Sequence, residues 1–337
     1  MNCSRDCFDD NCCMGQIMHG LSPVQGECEF THAEGEVVQT SALKEVFTPV
    51  LDLYEVGGDK SLAEAINDDW CCFVSSAIGD RLLNDMLSGT EYEPLLHANV
   101  RQVPSIANIQ SDWDGFCEDL KHKNRYLVER RDMIEKLRDF WLDNFVKTIP
   151  ASQKFYRART SNSPDKYKAG EMMNPPADLA TPGRANPEGI SYLYLSSDLE
   201  TIMYETRSSC LDFVCVATIK AKEEQRIISL KEIQRMDPFS LEDNHESILY
   251  NSKLTRLISQ SLSRPLRRFD SKTEYVPTQY ICEYIKSLDM DGIEYGSAMR
   301  PDGFNYAFFD GDKFKVTNVK VHEIDSFRLS HHVIYTR

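Results

Sequence analysis

The stretch GRANPEGISYLYLSSDLETIMYETR, residues 183–207, carries three local signals in succession. Asn186-Pro187 is typical of a turn, ISYLYLS predicts a strand, and the segment from about 198 to 209 predicts a helix. Further helices are predicted at about 241–262 and 277–288. Other short β-branched or aromatic runs predict strands at KFYRAR (154–159), FVCVATI (213–219), QRIISL (225–230), GIEYG (292–296), NYAFF (305–309) and FKVTNVKVHEI (314–324). Because strands and helices intermix without strict alternation, this half of the chain predicts an α+β fold rather than a doubly wound one.

The region before these strands has helical periodicity. In SALKEVFTPVLDLYEV (41–56) apolar residues recur at three- and four-residue spacing. Asp69-Trp70 begins a second helical stretch through Met86, and a long helix is predicted from roughly Asp112 to Val146, ended by Pro150. We therefore divide the chain into a Cys-rich N-terminal segment (1–40), a helical domain (41–149) and an α+β domain (150–337).

Charge and hydropathy exclude some classes of function. The net charge of −15 disfavours non-specific binding to nucleic acid, which depends on Lys and Arg neutralising phosphates. No window has the roughly 18 uninterrupted apolar residues that a membrane span needs. The first ten residues, MNCSRDCFDD, lack the basic and apolar regions of a secretory signal. These features predict a cytoplasmic protein with no membrane or nucleic-acid partner, and they leave a homo-oligomer open.

Four separated segments carry a family resemblance. They are FYRAR (155–159), the stretch from Pro175 to Arg207, YVPTQYICEYIKSLDMDGIEYGS (275–297) and NYAFFD (305–310). Their succession, over roughly residues 151–325, resembles the RES domain family, which is named for an Arg, a Glu and a Ser. The resemblance implies a mixed β-sheet fold like that of ADP-ribosyltransferase toxins and cleavage of NAD⁺ as the substrate. It also implies a cognate antitoxin, since many members are toxins of toxin–antitoxin pairs.

The motifs carry the family's named residues onto five positions. The Arg of the first strand is Arg157, the Arg of the Gly-Arg-x-Asn-Pro segment is Arg184, and the Tyr of the following strand is Tyr194. The Glu of the next helix is Glu205, and the Ser after the Asp-Gly-Ile strand is Ser297. The resemblance implies that Arg157, Glu205 and Ser297 are catalytic and that Arg184 and Tyr194 bind NAD⁺.

These residue types suit the chemistry. A guanidinium fork matches the oxygens of a pyrophosphate and stays charged, which suits Arg157 and Arg184. Breaking the bond between nicotinamide and ribose leaves an oxocarbenium-like sugar, which a carboxylate such as Glu205 would stabilise. Tyr194 offers a flat face for nicotinamide, and Ser297 can donate and accept hydrogen bonds without serving as a nucleophile.

Two neighbouring residues join the set of NAD⁺-binding candidates, and every candidate also has a purely structural interpretation. Arg159 shares a strand face with Arg157 if the strand is regular, and Asn186 either contacts the substrate or shapes the turn before Pro187. Arg157 could equally be a surface charge and Arg184 a brace for its loop, while Glu205 could lie on a solvated helix face. Tyr194 could be core, and Ser297 could cap a turn.

The cysteine-rich start is the second chemical signal. Cys3, Cys7, Cys28 and His32 follow a C-x3-C…C-x3-H spacing and are candidate ligands of a tetrahedral structural zinc ion. The segment resembles the start of longer RES proteins, where a Cys-x-x-Cys pair is expected at each end. Here Thr31 stands three residues after Cys28, so the second pair is broken. The alternative is a reduced cysteine-rich tail without metal.

The helical middle resembles the HEPN-like accessory domain that precedes RES domains in longer members. Ribonucleases of the HEPN type carry an Arg followed four to six residues later by His. The two histidines of this region, His97 and His122, have no Arg at that distance before them. A scaffold that docks on or restrains the catalytic half is therefore favoured over a ribonuclease.

Three functions follow in order of preference. The first is an NAD⁺ glycohydrolase or phosphorylase, with water or inorganic phosphate as acceptor, acting as a toxin or defence effector that depletes NAD⁺. The second is an ADP-ribosyltransferase that modifies a macromolecule. The third is a non-catalytic module that binds a nucleotide, which would have no need of Glu205.

Overall fold

The computed structural model of the chain describes residues 1–10, 12–165, 167–231, 233, 237–240, 244–265, 271–300 and 302–326. The described residues form two compact units. The first unit comprises those within Met1–Trp113 and Gln234–Leu254, and the second comprises those within Asp114–Ile233 and Thr255–Arg337. The sequence-based division into 1–40, 41–149 and 150–337 places its boundaries elsewhere and stays a prediction.

Helices and strands are both plentiful. The α-helices are α1 (Met14–Gly20), α2 (Lys44–Leu51), α3 (Leu62–Trp70), α4 (Ser76–Leu87), α5 (Pro104–Ala107), α6 (Ile109–His122), α7 (Arg131–Glu135), α8 (Leu137–Asn144), α9 (Leu199–Glu205), α10 (His245–Ser263) and α11 (Val276–Ser287). The strands are β1 (Asn2–Ser4), β2 (Val24–Glu27), β3 (Glu34–Gln39), β4 (Tyr54–Lys60), β5 (Val100–Gln102), β6 (Val146–Ile149), β7 (Lys154–Ser161), β8 (Leu193–Ser196), β9 (Phe213–Ala221), β10 (Gln225–Ser229), β11 (Gly292–Gly296), β12 (Phe304–Phe308) and β13 (Phe314–Glu323).

An eight-stranded mixed sheet forms the centre of the second unit. Its order is β13-β9-β7-β8-β12-β11-β10-β6, and only the β10–β11 pair is parallel among these described strands. The strands and the helix α9 that the sequence predicts in this half are present, which confirms the α+β class. Aromatic side chains pack on the sheet, with ring centroids 4.9 Å apart for Phe155 and Tyr306 and 4.4 Å apart for Phe308 and Phe314. Full burial of such a side chain stabilises the fold by about 1.5–3 kcal/mol.

The first unit contains more sheet than its sequence pattern indicates. Its N-terminal segment forms a three-stranded antiparallel sheet in the order β1-β3-β2, and β4 pairs with β5. Helix α3 begins at a capping box in which Ser61 and Glu64 satisfy each other's backbone N–H groups. Among the described residues, no helix is both long and apolar enough to span a bilayer.

Three predicted helices are wrong in extent. The run at 41–56 is an α-helix only over α2, and Tyr54 begins strand β4. The single helix expected from Asp112 to Val146 is three helices, α6, α7 and α8, followed by strand β6. Asn124 interrupts it because its side-chain oxygen accepts a hydrogen bond from the Leu127 N–H, which favours a turn over a helix. The stretch from Asp69 to Met86 is divided at Cys71, whose φ of 53° ends α3 before α4 begins.

Candidate active site

Arg157 lies on β7, between strands β9 and β8 in the sheet. Its Nη1 donates to the carbonyl oxygen of Tyr194 at 3.1 Å. Its Nε is buried and has no hydrogen-bond partner among the described residues. Burial, followed by the charge of Arg159, lowers the pKa of Arg157 to about 10, so the side chain remains a cation at neutral pH. A buried cation with an unpaired donor is well suited to an anionic ligand.

Tyr194 and Asn186 hold the turn at 183–187 in place. The Tyr194 hydroxyl accepts from the N–H groups of Ala185 at 2.9 Å and Asn186 at 3.2 Å, and donates to Asn186 Oδ1 at 2.7 Å. The amide nitrogen of Asn186 donates to the carbonyls of Thr181, Pro187 and Ile190. Gly183 is required here, because a Cβ would lie 2.6 Å from Asn186 Oδ1 and 2.8 Å from the Tyr194 hydroxyl.

This turn presents Arg184. The backbone oxygen of Arg184 accepts from Thr278 Oγ1 at 2.6 Å, and its Nη1 donates to the Leu262 carbonyl at 2.5 Å. The guanidinium carbon lies 6.0 Å from the centroid of the Tyr295 ring. The backbone and the side chain of Arg184 are therefore both fixed by neighbouring elements.

Tyr295 lies beside Arg184 and is influenced by the charges of both Arg184 and Glu205. Burial raises the pKa of Tyr295, while the charge of Arg184 acts to lower it and the charge of Glu205 acts to raise it. Tyr295 is almost fully buried, with 4% of its surface exposed. An arginine and a glutamate that are distant in sequence thus act on the same phenol.

Glu205 is the last residue of α9, and one of its oxygens is doubly hydrogen-bonded. Oε1 accepts from Ser297 Oγ at 2.6 Å and from Asn305 Nδ2 at 2.7 Å. Both donors are neutral. The carboxylate is therefore oriented without being neutralised by a cation through this oxygen.

Ser297 follows β11, and its hydroxyl is fixed. Its oxygen accepts from the N–H groups of Met299 at 3.1 Å and Arg300 at 3.3 Å, while its hydrogen is donated to Glu205. Among the described residues, no histidine is hydrogen-bonded to Ser297. The arrangement makes Ser297 a donor to the carboxylate, and its role in the reaction stays a prediction.

Arg300 braces the loop that carries Ser297 against the start of α9. It pairs with Asp198 at 2.8 Å and with Glu200 at 3.0 Å. Asp198 also caps α9 by accepting from the Thr201 N–H at 2.9 Å. Burial acts to raise the pKa of Asp198, but these hydrogen bonds and Arg300 lower it below its ordinary value. The loop with Ser297 and the helix with Glu205 are thereby held together.

A family model of the RES domain matches residues 154–332, more than half of the chain. The chain belongs to the RES domain family. A chain of the crystal structure of the M. tuberculosis MbcT–MbcA toxin–antitoxin complex is similar at 13% identity and a TM-score of 0.34, over 57% of this chain and 92% of that chain. Among curated proteins, none matches.

The five positions predicted from the RES resemblance form a network of two hydrogen-bonded groups. Arg157 and the turn that carries Arg184 are hydrogen-bonded to Tyr194, and Ser297 is hydrogen-bonded to Glu205. The sequence prediction omitted Tyr295 and Asn305. The sequence did contain a signal for Asn305, because this polar residue begins the otherwise apolar run NYAFF. In the structure Asn305 is only 7% exposed.

Arg159 lies beside this network rather than in it. Its Nη1 donates to the Glu171 carbonyl at 2.5 Å, and its guanidinium carbon is 5.2 Å from the centroid of the Tyr167 ring. A cavity of about 330 Å³ is lined by Arg159 and Tyr167 together with Ala158, Thr160 and Thr206. Thr206 follows Glu205 directly, so the cavity adjoins the candidate site.

The residues predicted to bind zinc do not fit a zinc ion. Cys7 Sγ is 3.5 Å from Cys28 Sγ, and Cys3, Cys7 and Cys28 are fully buried. His32, however, is exposed, and its Nδ1 is 2.9 Å from a Glu27 carboxylate oxygen. In the part of the chain that the structure describes, no group of three or more His, Cys, Asp or Glu side chains could hold a metal ion. The zinc prediction is therefore unsupported.

Proposed function

We propose that the chain is an NAD⁺ glycohydrolase or phosphorylase that breaks the bond between nicotinamide and ribose. The observation that carries this proposal is the Glu205 carboxylate, which two neutral donors orient within the region that matches the RES family. An enzyme of this kind would deplete NAD⁺ and act as a toxin or defence effector.

The two arginines would bind the pyrophosphate of NAD⁺. Arg157 has a buried unpaired Nε, and a guanidinium carries five donors, so the bond from Arg184 to Leu262 leaves that side chain able to bind further oxygens. A bidentate contact to phosphate is stronger and more directional than a contact from lysine. The charge of −15 on the whole chain is compatible with such a locally basic pocket.

Glu205 would act on the ribose. When the bond from C1′ to nicotinamide breaks, its electron pair leaves with the ring nitrogen, and positive charge develops on the sugar. Because Oε1 is occupied by Ser297 and Asn305, the other oxygen, Oε2, is the one left to face that charge or a ribose hydroxyl. An oxygen of water, which releases a proton to solvent, or an oxygen of inorganic phosphate then bonds to the same carbon, and ADP-ribose or its 1″-phosphate results.

An NAD⁺-degrading enzyme harms the cell that makes it unless it is inhibited. We therefore include a cognate antitoxin in the proposal, one that covers the Glu205 site. The first unit of this chain is the alternative source of inhibition.

The test is to incubate the purified full chain with NAD⁺, with and without phosphate, and to identify products by mass spectrometry. We expect nicotinamide release by the wild type and a loss of about 100- to 1,000-fold in Glu205→Gln, the range found when one transition-state contact is removed. Glu224→Gln, an exposed glutamate of the second unit, is the matched control.

Each outcome has a separate meaning. Equal release by wild type and Glu205→Gln would exclude the proposed role of Glu205. No release from free NAD⁺, but labelling of macromolecules in cell extract from radioactive NAD⁺, would favour the transferase. Binding of NAD⁺ with neither reaction would favour a non-catalytic module.

A further inference from the structure

Asn305 links Glu205 to the buried interior of the sheet. It lies on β12, opposite Ser196 of β8 in the antiparallel register. Its Nδ2 donates to Glu205 Oε1 at 2.7 Å, and its Oδ1 accepts from Ser196 Oγ at 2.5 Å. Ser196 is fully buried and Asn305 is 7% exposed. A three-residue chain of hydrogen bonds therefore runs from the core of the sheet to the carboxylate.

The direction of this chain is fixed by chemistry. An ionised carboxylate only accepts hydrogen bonds, so the NH₂ of Asn305 must face Glu205. The carbonyl oxygen of the amide then faces Ser196, whose hydroxyl supplies a hydrogen. If the amide were rotated by half a turn, its oxygen would face the carboxylate and the hydrogen bond to Glu205 would be lost. Glu205 thus selects the amide orientation, and Ser196 holds the amide from the other side by donating to its oxygen.

Asn305 and Ser297 together distinguish the two carboxylate oxygens. Both donate to Oε1. The hydroxyl of Ser297 is itself oriented by two backbone N–H groups, and Asn305 is anchored by Ser196. Each donor is thus held by its own partners, so that the carboxylate is fixed before any ligand is bound. Preorganisation of this kind is what makes an electrostatic contact effective in a transition state.

We propose that Asn305 is a positioning residue for Glu205 and that Ser196 anchors the Asn305 amide in the sheet. Neither residue contacts the substrate, and both act by directing Oε2 toward the ribose. The inference rests on the proposed function, because it assigns the orientation of the carboxylate in that reaction.

The first experiment measures kcat and KM for NAD⁺ in the wild type, Asn305→Ala and Asn318→Ala. Asn318 is an exposed asparagine on β13 of the same sheet and serves as the matched control. Loss of a residue that orients a reactive group costs about 10- to 100-fold. We expect that loss in kcat for Asn305→Ala, with KM within about twofold of wild type, and no loss for Asn318→Ala.

Combined variants distinguish a positioning role of Asn305 from a general loss of structure. Because Asn305 acts through Glu205, Asn305→Ala should slow Glu205→Gln no further, and Ser196→Ala should add nothing to Asn305→Ala. Ser196→Ala alone should lose several-fold in kcat, since the Asn305 amide then loses its anchor in the sheet. An Asn305→Ala variant that changes only KM, or whose loss multiplies with that of Glu205→Gln, would overturn the proposal.

A second measurement needs no turnover. The side-chain NH₂ signals of Asn305 are assigned in ¹⁵N NMR spectra of the full chain by their absence in Asn305→Asp. We expect these signals to shift in both Glu205→Gln and Ser196→Ala. Unchanged signals would contradict the inference even in an active enzyme. Absence of nicotinamide release by the wild type, with shifted signals, would count against the proposed function alone.

Discussion

Two clusters of reactive side chains differ in what surrounds them. The first is the cysteine cluster, Cys3, Cys7 and Cys28, where the thiols are buried and contact one another. The second is the Glu205 network, where a carboxylate receives donors from the end of β11 and from β12. In the sequence the cysteines are the denser signal, yet they form no group that could hold a metal ion within the described residues. A high local density of reactive residue types in the sequence is therefore a weaker indicator of function than several hydrogen-bond donors that converge on one charged group.

The two clusters also differ in protonation chemistry. A hydrogen bond with Cys3, together with burial, raises the pKa of Cys7 well above its ordinary value. Burial acts to raise the pKa of Cys28 as well, but its polar surroundings, Ser4, Thr31 and the Phe30 backbone, lower it to about 6. Cys7 and Cys28 thus differ in pKa because of their contact with each other and the polar groups near each. In the other cluster the charges belong to Arg157, Arg184 and Glu205, which suits a charged substrate.

After the loss already expected for Glu205→Gln, the largest expected effect in this comparison is at Arg157. Removing its charge in Arg157→Gln should lower kcat/KM for NAD⁺ by about 10- to 150-fold, since a hydrogen bond to a charged group contributes about 1.5–3 kcal/mol. Steady-state nicotinamide release measures it. Arg159→Gln is the matched control on the same strand, and we expect less than about a threefold loss because Arg159 is exposed and bonded to Glu171. An equal loss in both variants would contradict the assignment of the buried arginine as the phosphate ligand.

A smaller effect is expected at Gly183. The Cβ of Gly183→Ala would press on Asn186 and on the Tyr194 hydroxyl, which displaces the turn that presents Arg184. Overpacking costs about 1–3 kcal/mol, so we expect a lower melting temperature and a loss of about tenfold in kcat/KM. Gly170→Ala, where a Cβ meets nothing within 4 Å, should change neither quantity. Full activity in Gly183→Ala would show that the turn does not position Arg184.

The smallest effects on activity are expected in the cysteine cluster. Cys7→Ala should lower the free energy of unfolding by about 1–3 kcal/mol, because a buried group loses its partners, and should leave kcat/KM within about twofold. His32→Ala should change stability by less than about 0.5 kcal/mol, since that side chain is exposed. Denaturant unfolding and elemental analysis test both. One equivalent of zinc in the wild type, absent from His32→Ala, would contradict our conclusion that these residues do not fit a zinc ion.

Much of the second unit could be predicted from local sequence. Runs such as ISYLYLS and FVCVATI have the period and composition of strands, and both are strands in the structure. The family motifs then placed Glu205 and Ser297, which are hydrogen-bonded. Local patterns failed where side chains compete with the backbone, as at Asn124, or where strands are only three or four residues long, as in β1 and β2.

Pairings across the sheet could not be predicted from one sequence. Ser196 and Asn305 are separated by 109 residues, and nothing local to either indicates that β8 lies beside β12. Strand order depends on the packing of the whole sheet, which no short window contains. Ser196 and Asn305 were omitted for this reason, although both lie inside motifs that the sequence identified.

The position of β12 has a consequence for the timing of synthesis. This strand lies between β8 and β11 in the sheet, yet it is made after every other strand except β13. Until the ribosome has released it, Glu205 has neither Asn305 nor a closed sheet behind it. Chains fold during translation from the N-terminal end, so the earlier strands wait for their central partner. If the proposed function holds, a nascent chain is expected to lack activity toward NAD⁺ until β12 has emerged.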